Sequence, residues 1–302
     1  MTSNSDSATP KVPDGFLCIN KPEGVTSRDV VNQIQRHVRP TKVGHAGTLD
    51  PLATGVLVVA LGKATRLIQL VQQMQKRYVG TFELGKTSDT EDITGSITVS
   101  PEHSPPSSED LADSVRSMTG EILQRPPAYS ALKVGGRRSY DLARSGQAVE
   151  LKPRKVVIHS LRVVDYAYPF LKLDVECGSG TYIRSLGRDI GEALGCGAVM
   201  TALQRTAIGS FRLDSAVSPE FEDRANLVRF VTPARDGAAQ LPFVELDDAE
   251  ITAIGFGKKI SLARAGLSHE TDVAALNAAG KLVAVLTKTA GLHRPAVNFV
   301  AK

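Results

Sequence analysis

Cysteine is scarce in this 302-residue chain: Cys18, Cys177 and Cys196 are odd in number, widely spaced and without a CxxC pair. That argues against a disulfide framework or a cysteine-rich zinc site and fits a reducing cytoplasm. The six histidines form no HExxH or H-x3–5-H pairing, so no metal is indicated. No apolar run approaches the roughly 20 residues of a membrane span. Residues 1–13, rich in Ser, Asp, Thr and Pro, lack the apolar stretch of a signal peptide and read as a disordered tail. No internal repeat is evident. A strand, a glycine turn and a helix start follow one another around Gly178-Ser179-Gly180, but with no Walker lysine and an incomplete GxGxxG, nucleotide binding is a weak reading.

What is present is an ordinary globular composition, 42% hydrophobic and 23% charged, with length for about two domains of roughly 150 residues each. The net charge of +4 permits a nucleic-acid partner without demanding one. Its distribution is more informative. Ser88 to Ser114 holds seven acidic residues and no Lys or Arg, and reads as a surface connector that avoids phosphate. Glu121 to Lys155 holds eight basic residues against three acidic ones, among them Lys133, Arg137 and Arg138. Such a run is usually a solvated face; here Gly135-Gly136 adds flexibility, and phosphate contact is the favoured reading.

The densest constraint lies at Lys42-Val43-Gly44-His45-Ala46-Gly47-Thr48-Leu49-Asp50-Pro51-Leu52-Ala53-Thr54-Gly55-Val56-Leu57. Gly44, Gly47 and Gly55 allow close backbone approach or positive φ, and Pro51 disfavours helix at Asp50. The apolar run Val56 to Leu61 reads as a buried strand anchoring the loop. Asp50 is thus either a carboxylate held at the rim of a rigid element, where catalytic groups sit, or an Asp-Pro turn residue bonding nearby backbone.

Around this loop the periodicities predict alternating elements. Gly15 to Asn20 is a short buried strand, and Ser27 an N-cap for a helix with the face Val30, Val31, Ile34 and Val38. Leu67, Leu70, Val71 and Met74 mark a helix stripe. Lys76 to Leu84 alternates as a strand with Tyr78, Phe82 and Leu84 on one face. Lys155 to Val164 and Phe170 to Cys177 form a hairpin, and Ile183, Leu186, Ile190 and Leu194 begin a helix. Leu203-Gln204-Arg205 falls in a following strand. Pro233 to Pro242 reads as a linker, followed by a short helix from Asp247 to near Gly255. The short strands Val273–Leu276, Leu282–Leu286 and Val297–Val300 then suggest a small β-barrel.

The loop from Lys42 to Leu57, preceded by Lys21-Pro22-Glu23-Gly24-Val25-Thr26-Ser27, resembles the signature of the bacterial pseudouridine-55 synthases that modify the TΨC arm of tRNA. Thr181-Tyr182-Ile183-Arg184 resembles a third motif of that family, and Pro126 to Lys133 its approach to a mobile RNA-clamping loop. The resemblance is strongest from residue 16 to about 210 and architectural beyond.

It implies an α+β fold: a catalytic domain over 14–243 around a mixed, largely antiparallel sheet, with a PUA-like RNA-binding barrel over 244–302. The implied reaction detaches uracil from C1′, rotates it and rejoins it through C5, on a flipped base and without cofactor or metal. Asp50 is the implied catalytic carboxylate, paired with Arg184, and Tyr78 stacks on the base. His45 fills or props the vacated stack, Tyr182 packs near the base and Leu203 is apolar wall. Lys21 supports the active-site turn within the substrate-binding set, and Lys133, Arg137 and Arg138 meet phosphate. The implied partner is tRNA, with no membrane and no protein partner; a cytoplasmic monomer is expected. Two other readings share the scaffold: an RNA-binding or tRNA-folding chaperone, and a guide-RNA-dependent enzyme of ribosomal RNA. The intact Asp50, Tyr78 and Arg184 argue against the first, and the missing basic tails and extensions against the second.

Overall fold

The computed structural model describes residues 11–100, 104–130, 133–134, 137–138, 151–267 and 269–300, with backbone alone at 133–134, 137–138 and 264. Most of the tail expected at 1–13, and Arg144 of the basic run, lie outside the described residues.

In chain order the elements begin with β1 (Gly15–Lys21), α1 (Ser27–Val38), β2 (Val43–His45), β3 (Thr54–Leu61) and α2 (Ile68–Gln73). Next come β4 (Lys76–Leu84), β5 (Lys86–Ser88), β6 (Ile97–Val99), α3 (Ser108–Ser117), β7 (Gly120–Gln124), β8 (Lys133–Val134) and β9 (Arg137–Arg138). The chain continues through β10 (Arg154–Ala167), β11 (Phe170–Cys177), α4 (Ile183–Ala193), β12 (Ala198–Ile208), β13 (Phe211–Arg212), α5 (Arg224–Val228) and β14 (Thr232–Pro233). It ends with β15 (Phe243–Glu245), α6 (Asp248–Gly255), β16 (Asp272–Leu276), β17 (Leu282–Thr289) and β18 (Leu292–Asn298). The fold is α+β on a large, mainly antiparallel sheet, with a separate four-stranded sheet near the C-terminus.

Two compact units divide the chain. The first takes the described residues of Met1–Pro51, Gly55–Met74 and Ile208–Lys302. In it β1 pairs antiparallel with β3 from Gly15↔Leu61 to Lys21↔Gly55, and β14 and β2 flank the pair. β3 is buried from Gly55 onward, as its unbroken apolar run requires of a strand covered on both faces. One face packs on α1 through Val30, Ile34 and Val38, the other on Ala64, Leu67 and Val71.

The helix α1 is capped differently from expectation. Thr26 is the N-cap, closing a capping box with Asp29, so Ser27 is free to turn inward. The segment read as a linker also departs from expectation. Ala234 and Ala238 are buried in the core, and a Cβ on Gly237 would meet the Phe16 ring at 2.3 Å. Small residues there serve close packing rather than flexibility.

The C-terminal sheet has the order β15-β16-β17-β18, with β15 and β16 parallel. Among the described residues no pairing closes it into the barrel expected. One face forms a core with Val244, Leu246 and Ile254. The other sends Ala274, Leu282 and Val285 into the cluster that holds Phe16, Val58 and Ala238.

In the second unit, Leu52–Thr54 and Gln75–Ala207, the strand order is β12-β4-β11-β10-β7. β4 alternates buried and half-buried along its length, so Lys76, Tyr78, Phe82 and Leu84 share its inner face. α4 lies close on that face: a Cβ on Gly187 would meet the Phe82 ring at 2.2 Å.

The shared cluster makes a test. Leu282→Ala is expected to destabilise the protein by ~2–5 kcal/mol, as for a truncated buried leucine. Hydrogen exchange should then quicken at β1 and β3 amides as well as at β17. Faster exchange confined to β15–β18 would show that the two sheets do not share one cooperative core.

Candidate active site

The motif loop is held by identifiable local chemistry. The loop bearing Asp50 leaves β2 and returns at β3, with positive φ at Gly47 and Gly55. Gly44 is present for space instead, since a Cβ there would meet Ile68 Cδ1 at 2.9 Å. Two residues upstream of α1 and one at its start then fix the loop. The Ser27 hydroxyl accepts from Leu49 N–H at 2.9 Å and donates to Leu49 O at 3.1 Å. Gly24 N–H donates to Pro51 O at 2.9 Å. Asp50, between Leu49 and Pro51, is half-buried and His45 likewise.

Lys21 is fully buried, and its ammonium donates to Pro22 O and Val25 O at 2.8 Å each and to Pro51 O at 3.3 Å. A buried charge is tolerable only when its protons are met, and backbone carbonyls meet them here. Within the substrate-binding set Lys21 is expected to support the active-site turn, and these bonds tie the 21–25 turn to the residue after Asp50.

In the second unit Tyr78 is buried on β4. Arg205, fully buried on β12, lies over its ring with the guanidinium carbon 6.0 Å from the centroid. Lys76, two residues before Tyr78, has its ammonium pushed down to about 8 by burial and then by the Arg205 charge. Leu203 is buried on the same strand parity as Arg205, and its carbonyl accepts from the Thr54 hydroxyl at 3.5 Å.

Arg184 sits in the first turn of α4 and is buried. It donates to Thr90 O at 2.8 Å and Tyr129 O at 3.1 Å, and lies 3.6 Å from the Asp92 carboxylate. The loop that supplies Thr90 and Asp92 is itself tightly bonded, the Asp92 carboxylate accepting from Thr90 and Thr94 hydroxyls at 2.8 and 2.5 Å. Next to Asp92, Glu91 accepts from the Ser185 hydroxyl at 2.6 Å and pairs with Arg188, which also grips Asp189 at 2.7 Å. Burial pushes the Glu91 carboxyl up, against the lowering by Ser185 and Arg188. The acidic segment is thus only partly the solvated connector expected: Glu91 and Asp92 turn inward to hold α4.

Tyr182 precedes α4, and its backbone is held at both ends by Gln124, whose side chain accepts its N–H at 2.8 Å and donates to its carbonyl at 3.1 Å. The Arg154 guanidinium lies 5.0 Å from the centre of the Tyr182 ring and donates to Gly180 O. Lys133 and Arg138 pair across a two-residue ladder with Val134 and Arg137, a short hairpin of backbone.

Two family models match end to end: the TruB family pseudouridylate synthase N-terminal domain over residues 35–183, and the tRNA pseudouridylate synthase B C-terminal domain over 184–232. A tRNA pseudouridine synthase B of Dehalococcoides mccartyi is 40% identical over 294 residues, covering 95% of this chain and 97% of the relative. The chain belongs to the TruB family. Another TruB-family relative, from Paenarthrobacter aurescens, is 39% identical over 301 residues, covering 94% of each chain. Among solved structures, a chain of a Cbf5-Nop10-Gar1 complex superposes with a TM-score of 0.72 at 27% identity, covering 97% of this chain and 85% of that one.

For a TruB-family chain the supporting residues are as informative as the motif itself. Asp92, Glu91, Arg188 and Gln124 were not singled out by sequence, and Arg205 was named only within the Leu203-Gln204-Arg205 strand. Arg205 had a usable signal, since it lies two residues from Leu203 on an alternating strand. Asp92 and Glu91 had none, because the α4 residues they hold lie more than 90 residues away.

Two outcomes follow from this geometry. Lys21→Met should lower kcat about tenfold or more, ~1.4 kcal/mol of barrier per tenfold, with RNA affinity little changed. A larger effect on affinity than on kcat would return Lys21 to substrate contact. For Lys76, the folded state binds fewer protons than the unfolded state between its depressed value of about 8 and the ordinary 10.5. Stability should therefore rise with pH across that window, and Lys76→Met should remove this part of the slope. Parallel stability profiles for the two proteins would contradict it.

Proposed function

We propose that this chain is a tRNA pseudouridine synthase acting on uridine 55 of the TΨC loop, without guide RNA, as a cytoplasmic monomer. The observation that supports this most is the intact Asp50 loop in a chain about 40% identical, over nearly its full length, to tRNA pseudouridine synthase B relatives. The likeness to the Cbf5 complex chain, at 27% identity, favours the guide-dependent reading less.

The reaction breaks the C1′–N1 bond, turns the uracil and forms C1′–C5. The C5 proton is lost and N1 gains one, so atoms and electrons balance without a redox partner. The base must first leave its stack, at a cost of a few kcal/mol. In our reading His45 occupies the space it vacates. Tyr78 offers the base an aromatic face, worth ~1–3 kcal/mol of stacking. Asp50 acts as the catalytic carboxylate, Arg184 supplies positive charge to the reacting centre, and Tyr182 and Leu203 wall the base. Lys133, Arg137 and Arg138 take RNA phosphates, and 244–302 acts as a PUA-like RNA-binding domain.

The part of this proposal that concerns the Asp50 loop has a physical logic. A carboxylate whose flanking residues are both tethered, by Ser27 at Leu49 and by Gly24 and Lys21 at Pro51, loses little entropy on reaching its reacting geometry. Asp50→Asn is accordingly expected to retain fold and tRNA affinity while losing turnover by at least ~10⁴, about 5 kcal/mol of barrier. Near-normal pseudouridine formation by this variant would exclude Asp50 as the catalytic group.

A further inference from the structure

A cleft of about 780 Å³ opens within the first unit, between the start of the described chain, the 231–235 segment and the hairpin turn before β17. Three cations line it, Lys11, Arg235 and Lys281, against one carboxylate, Asp14. That carboxylate is engaged elsewhere: Asp14 Oδ1 accepts from Lys63 N–H at 2.6 Å. Gly62 leaves it room, because a Cβ there would meet the same oxygen at 2.1 Å.

Arg235 is not a loose surface cation. Its Nη1 donates to Gly280 O at 3.2 Å, across from one wall of the cleft to the other. Gly280 has φ +69°, and a Cβ on it would stand 3.1 Å from Nη1. The turn thus needs glycine both for its conformation and for this contact. A guanidinium offers five N–H donors, so others stay available to a ligand. The lining also includes Phe299, half-buried apolar surface suited to a sugar or base edge.

The register of β1 measures how far this cleft lies from Asp50. β1 runs from Gly15, which pairs with Pro233 at the cleft, to Lys21, which pairs with Gly55 at the foot of the Asp50 loop. Six strand steps of roughly 3.3 Å place the two ends about 20 Å apart. An RNA whose reacting uridine is at Asp50 would meet the cleft with backbone several nucleotides away, a contact we place outside the modified stem-loop.

We propose that this cleft is a second RNA subsite, taking phosphodiester backbone about 20 Å from the modified nucleotide through Lys11, Arg235 and Lys281. The proposal rests on the tRNA reading above for the identity of the RNA. Clustered cations, one of them anchored to Gly280 O and 4.0 Å from the Asp236 carboxylate, beside an Asp14 carboxylate already satisfied, suit a polyanion, and sequence-independent phosphate contacts position an RNA rather than read it.

The test uses the full chain and compares unmodified tRNA with an isolated TΨC stem-loop. The Lys11→Gln/Lys281→Gln variant leaves the Arg235–Gly280 bond in place, and Arg235→Gln is measured beside it, each checked for an unchanged unfolding temperature. For the double variant, KM on whole tRNA should rise about tenfold with kcat nearly constant, the pattern of lost uniform binding. Its log-log salt slope of tRNA binding should flatten by about two, roughly one for each lost phosphate contact. Stem-loop kinetics should not change. Unchanged tRNA affinity and salt slope, or an equal loss on both RNAs, would overturn the subsite. If the unaltered protein makes no pseudouridine while the cleft variants still weaken tRNA binding, the functional reading fails and the subsite stands.

Discussion

Much of the first unit depends on one buried ammonium. Lys21 ends β1, and its charge is accommodated by the carbonyls of Pro22, Val25 and Pro51. Remove it and three carbonyls lose a donor; leave it and the turn after β1 is locked to the residue following Asp50. A charge-assisted hydrogen bond is stronger than a neutral one, and this set joins two chain segments 30 residues apart. The Ser27–Leu49 exchange adds a neutral tether on the other side of Asp50. The loop's glycines set its path, and these bonds fix its position.

The second unit solves a similar problem with paired charges. Arg184 is held by two carbonyls and Asp92, and the adjoining Glu91–Arg188–Asp189 network ties the same helix to the same loop. A buried ion network is a poor source of stability but penalises alternative arrangements, because each separated partner would leave an unpaired buried charge. Glu91 adopts φ +64°, uncommon for a residue with a side chain, and its carboxylate bonds explain why that conformation is held. Behind Tyr78, Lys76 and Arg205 lie buried on neighbouring strands, and burial first, then the Arg205 charge, lowers the Lys76 value.

How much of this was readable in advance depended on whether the signal was local. The β4 alternation, the α1 stripe and the unbroken β3 run are periodic, and the structure contains each. The Asp50 loop was legible from its motif, but not the ammonium and hydroxyl that secure it. Glu91 and Asp92 were hidden in an acidic run whose summed charge suggested solvent, while their partners lay on α4. Ala234 to Ala238 looked like a linker because small residues suit both flexible chain and tight packing; only Phe16 against Gly237 distinguishes the two. Likewise three short strands suggested a closed barrel, whereas the sheet they form spends one face on a core shared with β1 and β3.

The central claim is that the chain rearranges a uridine of tRNA from an N–C to a C–C glycosidic bond. That rearrangement releases the C5 hydrogen to solvent, so tritium release from tRNA carrying [5-³H]uridine reports it directly. The account predicts release of one tritium per tRNA, matched by one pseudouridine at position 55 and abolished when that uridine is replaced by cytidine. Release that persists after the replacement, or none from a tRNA the protein binds, would contradict it.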